Sequence, residues 1–129
     1  MDADEKRKQL DRVTAKIIGA AQRVSSALGI GFLEKVYENA LAIELRKGGV
    51  LVKQQHLLKV FYEGEIVGEY AADLIVENEV VVELKAVRAL DNVHQAQFMN
   101  TLRATKLTVC LLLNFGTSRL QVKRIVNGF

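Results

Sequence analysis

The chain has 129 residues, a formal net charge of +3, one cysteine, no proline and hydrophobic side chains at half of its positions. That length suits a single domain over residues 1–129, with roughly two-thirds of the unfolded surface buried, and the composition excludes a disordered or low-complexity chain. A lone cysteine excludes an internal disulfide, no uncharged apolar run nears the roughly 18 residues of a membrane span, and "MDADEKRKQLDR" lacks the apolar core of a signal peptide, so a cytoplasmic location with no membrane association is expected. A sequence pI near 9.1 permits contact with a polyanion without demonstrating it.

From Asp4 to about Leu28, apolar residues at Leu10, Val13, Ile17, Ala21, Val24 and Leu28 recur at steps of three, four and seven, the pattern of an amphipathic helix that Gly29 and Gly31 interrupt. A second helix is predicted from about Phe32 to Lys47, with Leu33, Val36, Tyr37, Ala40, Leu41 and Leu45 as its stripe and Gly48 and Gly49 ending it. The period then changes to two. Strands are predicted near 51–62, 65–76 and 79–86, separated by "EG" and "EN" turn signals, which makes an antiparallel meander. "LDNVHQAQFMNTLRAT" returns to helical spacing behind Asp91 or Asn92 as the cap. The continuous apolar "LTVCLLLNFG" suits a strand covered on both faces, with Cys110 as a small packing residue and "NFG" as a strand end. "RLQVKRIV" closes the chain as an alternating strand.

Within the meander, "AADLIVENEVVVELKA" carries Asp73, Glu83 and Lys85 inside otherwise apolar runs. Residues directly opposite in a hairpin share a face, so the turn length decides whether these charges meet. A two-residue turn at Glu77 and Asn78 sets Glu83 across from Ala72. A three-residue loop of Glu77, Asn78 and Glu79 sets Asp73 opposite Glu83, brings Lys85 to the same side, and leaves Leu74, Val76, Val80, Val82 and Leu84 together on the core side. Either that loop or a bulge near Asp73 is therefore expected. Two adjacent carboxylates repel unless a cation lies between them, and with water they suit Mg²⁺ or Mn²⁺. A neighbouring lysine can orient or deprotonate a water, or stabilise charge building on a phosphoryl group. The competing account is a solvated sheet face with Asp73 paired to some lysine.

Asp73, then nine residues, then Glu83-Leu84-Lys85 resembles the motif of the PD-(D/E)XK nuclease superfamily, as does the order of helix, meander, helix and strand. The expected fold class is accordingly α+β, a restriction-endonuclease-like mixed sheet with a three-stranded antiparallel meander flanked by helices. "GFLEKVYENAL", "ADLIVENEVVVELKA", "HQAQFMN" and "LLLNFG" are more closely similar to the GxxExxY proteins of that superfamily, with Gly31, Glu34 and Tyr37 in the named positions. The resemblance implies a divalent metal, Mg²⁺ or Mn²⁺, held by Asp73 and Glu83 with the Leu84 carbonyl, and Lys85 handling the attacking water. It further implies Glu34 as a helix-borne acid completing the metal site and Gln97 as the glutamine of a "QxxxY" motif, whose tyrosine position here is Thr101.

Glu34, Tyr37 and Glu38 lie at steps of three and four on the second helix; Tyr37 also fits the core stripe, and Glu38 is expected to be structural. Neither His56 nor His94 has a partner at metal spacing, so zinc is not expected. Arg88, His94, Lys123, Arg124 and Tyr37 are candidate nucleic-acid contacts. Two functions follow from these residues: a metal-dependent nuclease, with DNA favoured over RNA and homodimerisation as a means to enlarge a modest basic surface, or a nuclease fold kept as a silent module that binds nucleic acid or protein. A small-molecule phosphoesterase is a further enzymatic option.

Overall fold

The computed structural model describes residues 2–127. Two helices, α1 (Ala3–Leu28) and α2 (Glu34–Lys47), precede strands β1 (Val52–Tyr62), β2 (Glu65–Val76) and β3 (Val80–Lys85); α3 (Asn92–Thr105), β4 (Val109–Asn114) and β5 (Gln121–Val126) complete the order. The strands form one sheet in sequence order, antiparallel throughout except for the parallel pair β3 and β4. A parallel pair needs a crossover, and α3 supplies it.

The expected α+β class and mixed sheet are present, with helices on both faces. Apolar residues of α1 and α2, among them Ile17, Val24, Tyr37 and Leu41, join Leu74, Val76, Val80, Val82 and Leu84 in one cluster. On the other face Phe98 and Leu102 of α3 cover Ala72, Ile75, Val81, Cys110 and Leu112. The face that carries the acids is thus partly core as well. Every residue of β4 is buried, as a strand sandwiched between two helical layers must be.

Chain ends of the helices follow local rules. Asp2 caps α1 by accepting the Glu5 N–H at 2.8 Å, and Gly29 leaves the helix at φ +69°. The second helix begins at Glu34 and not Phe32, with Leu33 in extended backbone (φ −73°, ψ 156°) as its N-cap and the Phe32 N–H donating to the Tyr37 hydroxyl at 3.3 Å. At its end the left-handed position belongs to Gly49. Asp91, of the two candidates, caps α3.

The outer part of β1 and β2 extends beyond the body as a two-stranded arm, on which Leu57, Phe61, Tyr62, Ile66 and Val67 are exposed. Its register shifts between Val60 and Phe61. No described helix is long and apolar enough to cross a membrane.

Candidate active site

β2 and β3 are paired only from Leu74–Val76 to Val80–Val82. Beyond that short ladder they fork: β2 leaves with β1 as the arm, while β3 continues beside β4 through Lys85. The connection is the three-residue loop Glu77-Asn78-Glu79, with Glu77 and Asn78 at φ +54° and +55° and the Glu79 N–H bonded to the Val76 carbonyl at 3.0 Å. No bulge is needed at Asp73. The register Leu74 to Val82 makes Asp73 and Glu83 the first residues past the fork on their respective strands. The Asp73 Oδ2 accepts the Leu84 N–H at 2.8 Å, so a side chain replaces the backbone acceptor where the ladder stops. The alternation of faces along β2 slips here, Ala72 belonging to the α3-side cluster and Leu74 to the opposite one. On β1, Gln55 stands across from Asp73 between two paired positions and takes φ +51°, an uncommon backbone for a non-glycine residue.

Glu83 is 8% exposed. Burial, followed by the Asp73 charge and a hydrogen bond from the protonated carboxyl to Asp73, pushes its pKa up to about 9; Lys85 offsets only part of this. Without a further cation the carboxyl therefore keeps its proton at neutral pH. Burial, with the same two acids nearby, also raises the Cys110 thiol well above its usual range, which makes it inert packing as expected.

The Lys85 side chain is half-buried and forms no hydrogen bond or ion pair among the described residues. The chain leaving it is clamped. Asn114, fully buried, accepts the Val87 N–H at 3.0 Å and donates to the Val87 carbonyl at 2.9 Å, and the Phe115 N–H bonds the Lys85 carbonyl at 2.8 Å. Gly116 crosses so close to Ala86 and Val87 that a Cβ would overlap their backbone atoms. The "NFG" segment is thus a lock on the lysine strand, in addition to a strand end.

The acid of α2 that communicates with the fork is Glu38. It is 3% exposed and accepts from Lys35 at 3.0 Å, Gln54 at 2.8 Å and Gln55 at 2.5 Å. The same Gln55 amide reaches Asp73 Oδ1 at 3.3 Å, so Gln55 bridges the two carboxylates. Glu38, expected to be structural, is a buried acceptor whose hydrogen bonds reach the fork through this bridge. It precedes Leu41, Ala42 and Leu45, all buried, by three, four and seven residues and so lies beside the helix's inner stripe. The Glu34 side chain, one turn earlier, makes no hydrogen bond or ion pair among the described residues, and the residue starts the helix where negative charge is favourable.

The other candidates separate by position. Tyr37 is fully buried, stacked on Phe115 at 4.7 Å, with its hydroxyl donating to the Gly29 carbonyl at 2.6 Å. A nucleic-acid contact by Tyr37 is therefore corrected to a core role. Gln97 is exposed on α3, and Thr101, buried beside it, donates its hydroxyl to the Gln97 carbonyl at 3.1 Å. His94 completes the cap of α3, its Nδ1 accepting the Asp91 N–H at 3.2 Å. Arg124 is held by Asp11 at 2.8 Å on the α1 side. Lys123 lies across from Leu112, itself across from Glu83, and so shares the sheet face of the acids two strands away, about 10 Å off. Arg88 is exposed just past the lysine strand.

No three His, Cys, Asp or Glu side chains among the described residues converge as a ready metal cage. The donor set nonetheless fits a hard cation. Two carboxylates touch, one of them retaining a proton for want of positive charge, and Mg²⁺ takes one or two protein carboxylates and fills its remaining positions with water and phosphate oxygen.

The family profile of the PD-(D/E)XK nuclease superfamily matches residues 11–125, nearly the whole chain. No curated protein is a match. Among solved structures, the crystal structure of SSO0001 superposes with a TM-score of 0.57 at 18% identity over 74% of this chain and 50% of that one, which establishes likeness of fold. An alkaline exonuclease from Laribacter hongkongensis matches at a TM-score of 0.45 and 13% identity over 73% of this chain and 56% of its own. The chain thus spans about half the length of these structures.

Proposed function

The chain belongs to the PD-(D/E)XK nuclease superfamily, and from that premise we propose that it is a metal-dependent nuclease of the GxxExxY group, acting on DNA in preference to RNA as a single domain. The observation that carries the reading is the meeting of Asp73 and Glu83 just past the fork of β2 and β3, with Lys85 two residues along the same strand. Asp73 and Glu83, with the Leu84 carbonyl, would hold Mg²⁺ or Mn²⁺, and Glu34 would contribute from α2. The ion, when bound, neutralises the scissile phosphate and lowers the pKa of an attacking water.

The chain's own residues prepare this. Asp73 is fixed by the Leu84 N–H and the Gln55 amide, so one carboxylate is aimed before any ligand arrives. Glu83 gives up its proton as positive charge enters, which couples binding to proton release. Lys85, unpaired and held by the Asn114 clamp on the chain that follows it, orients the water or stabilises the charge developing on the phosphate. Gln97 stands on α3 as a second polar group toward the substrate. Arg88 and Lys123 are offered as phosphate contacts, with His94 and Arg124 contributing only by giving up their present partners. A cytoplasmic location and a homodimer belong to the same proposal.

The test is a panel of labelled single-stranded, double-stranded and branched DNA and RNA with Mg²⁺, Mn²⁺ or EDTA. Metal-dependent products from any polymer support the proposal and begin to name the substrate. Binding without cleavage across the panel instead supports a silent nucleic-acid module, and turnover confined to mononucleotides supports a small-molecule phosphoesterase.

A further inference from the structure

Between the β1–β2 arm and α3 lies a cleft of about 700 Å³ that the metal-site argument does not use. Phe61 and Tyr70 of the arm form part of its apolar wall, Arg103 and Lys106 stand at the C-terminal end of α3, Lys59 completes the rim, and Gln97 also lines it. No carboxylate lines the cleft. Elsewhere on the molecule Arg23, Lys35, Lys47 and Arg124 are ion-paired, but Arg103 and Lys106 have no such partner among the described residues. Lys59 sits across the ladder from Glu69, so the positive character of the cleft rests on the two helix cations.

Three properties choose an occupant. Unpaired cations beside a wall free of acids fit an anion. The exposed ring of Phe61, beside the half-buried Tyr70 whose hydroxyl donates to the Asn100 carbonyl at 3.4 Å, fits a flat ring, since stacking on a base needs only a π-face and tolerates any sequence. The volume is that of a small-molecule pocket, enough for one or two nucleotides and far too small for a duplex. The cleft lies near the fork, since Tyr70 precedes Asp73 by three residues on β2, about 10 Å at the rise of a strand.

We propose that this cleft holds one or two unpaired nucleotides adjoining the scissile phosphate, with bases against Phe61 and Tyr70 and phosphates against Arg103 and Lys106, making single-stranded nucleic acid the substrate class. The proposal rests on the nuclease reading for its placement of the scissile bond. Its binding component is independent of turnover. The alternative role of Arg103 and Lys106, simple charge complement to a helix C-terminus, involves no ligand.

The experiment is fluorescence anisotropy of a labelled oligothymidylate and of a duplex in EDTA, comparing the wild type with Phe61→Ala and with Arg103→Ala combined with Lys106→Asn. Asparagine is chosen because Lys106 has φ +61°, a backbone it tolerates. Loss of two phosphate contacts should weaken single-strand binding by about tenfold and flatten its salt dependence by roughly 1.4 in log–log slope, with duplex binding little changed; Phe61→Ala should cost about tenfold by lost stacking. In parallel, Mg²⁺-dependent hydrolysis of bis(p-nitrophenyl) phosphate, a small diester that carries no nucleotide, reports on the catalytic centre of the wild type. Wild-type single-strand affinity in both variants overturns the cleft, whether or not the small diester is cleaved. Weakened single-strand affinity with no hydrolysis of the diester or of any polymer leaves the cleft standing and overturns the nuclease reading.

Discussion

In metal-free solution the stability of the protein should fall with rising pH because of one residue, and Glu83→Gln should remove that fall. Folded Glu83 titrates at about 9, against 4.5 for the unperturbed carboxyl. Between these values the folded state holds a proton that the unfolded state has released, so stability is fully present below pH 4.5 and is lost as pH rises toward 9. The slope is about 1.4 kcal/mol per pH unit, or roughly 4 kcal/mol from pH 5 to pH 8, a large share of a small domain's total. Glutamine keeps the volume, carries no ionisable proton and can still donate to Asp73. Urea denaturation in EDTA across that range, wild type against variant, measures the difference in slope directly. Saturating Mg²⁺ should raise the stability of the wild type more at pH 8 than at pH 5, since it binds the ionised form. Parallel stability profiles for the two proteins would refute the placement of Glu83 as a buried carboxyl sharing its site with Asp73.

Other outcomes follow from the same geometry. Gln55→Asn, which suits the left-handed backbone but is too short to span Glu38 and Asp73, should weaken Mg²⁺ affinity by about tenfold in calorimetry, the usual effect of losing an outer contact to a ligand. Gly116→Ala should cost about 1–3 kcal/mol of stability by overlap with Ala86 and Val87 and should lower kcat by moving Lys85, whereas an unchanged kcat would reduce the clamp to a purely structural feature. Tyr37→Phe removes the hydroxyl that donates to the Gly29 carbonyl and accepts the Phe32 N–H, and should cost about 1 kcal/mol in denaturation while kcat stays at the wild-type value, which separates the core tyrosine from the site.

The hairpin register was legible in the sequence because two requirements coincided: a three-residue loop or a bulge near Asp73 puts Leu74, Val76, Val80, Val82 and Leu84 on one side and Asp73 opposite Glu83, and the structure takes the loop. Period-two alternation fixes such a register strongly when one face is buried. The helix acid was harder. Glu38 sits on the edge of an apolar stripe, where a carboxylate ordinarily faces water, and it is buried only because Gln54 and Gln55 arrive from β1 16 and 17 residues later. Local periodicity carries no trace of that tertiary match. The clamp is a similar case, since Asn114 and Gly116 act on a segment 27 to 30 residues earlier. Tyr37 shows the opposite hazard: a motif position invited a surface role, while the spacing of its stripe had already placed it in the core. The sequence placed the core on the side of Leu74, Val76, Val80, Val82 and Leu84, whereas α3 also covers Ala72, Ile75 and Val81 on the face of the acids.

The most direct test of the account is a paired measurement of Mg²⁺ binding and substrate cleavage in the wild type, Asp73→Asn and Lys85→Ala. Asp73→Asn should lose both metal binding and cleavage; Lys85→Ala should keep metal binding, keep nucleic-acid affinity and lose cleavage by about a hundredfold or more. Cleavage that persists in EDTA, or that survives both substitutions at the wild-type rate, would contradict the assignment of hydrolysis to the fork of β2 and β3.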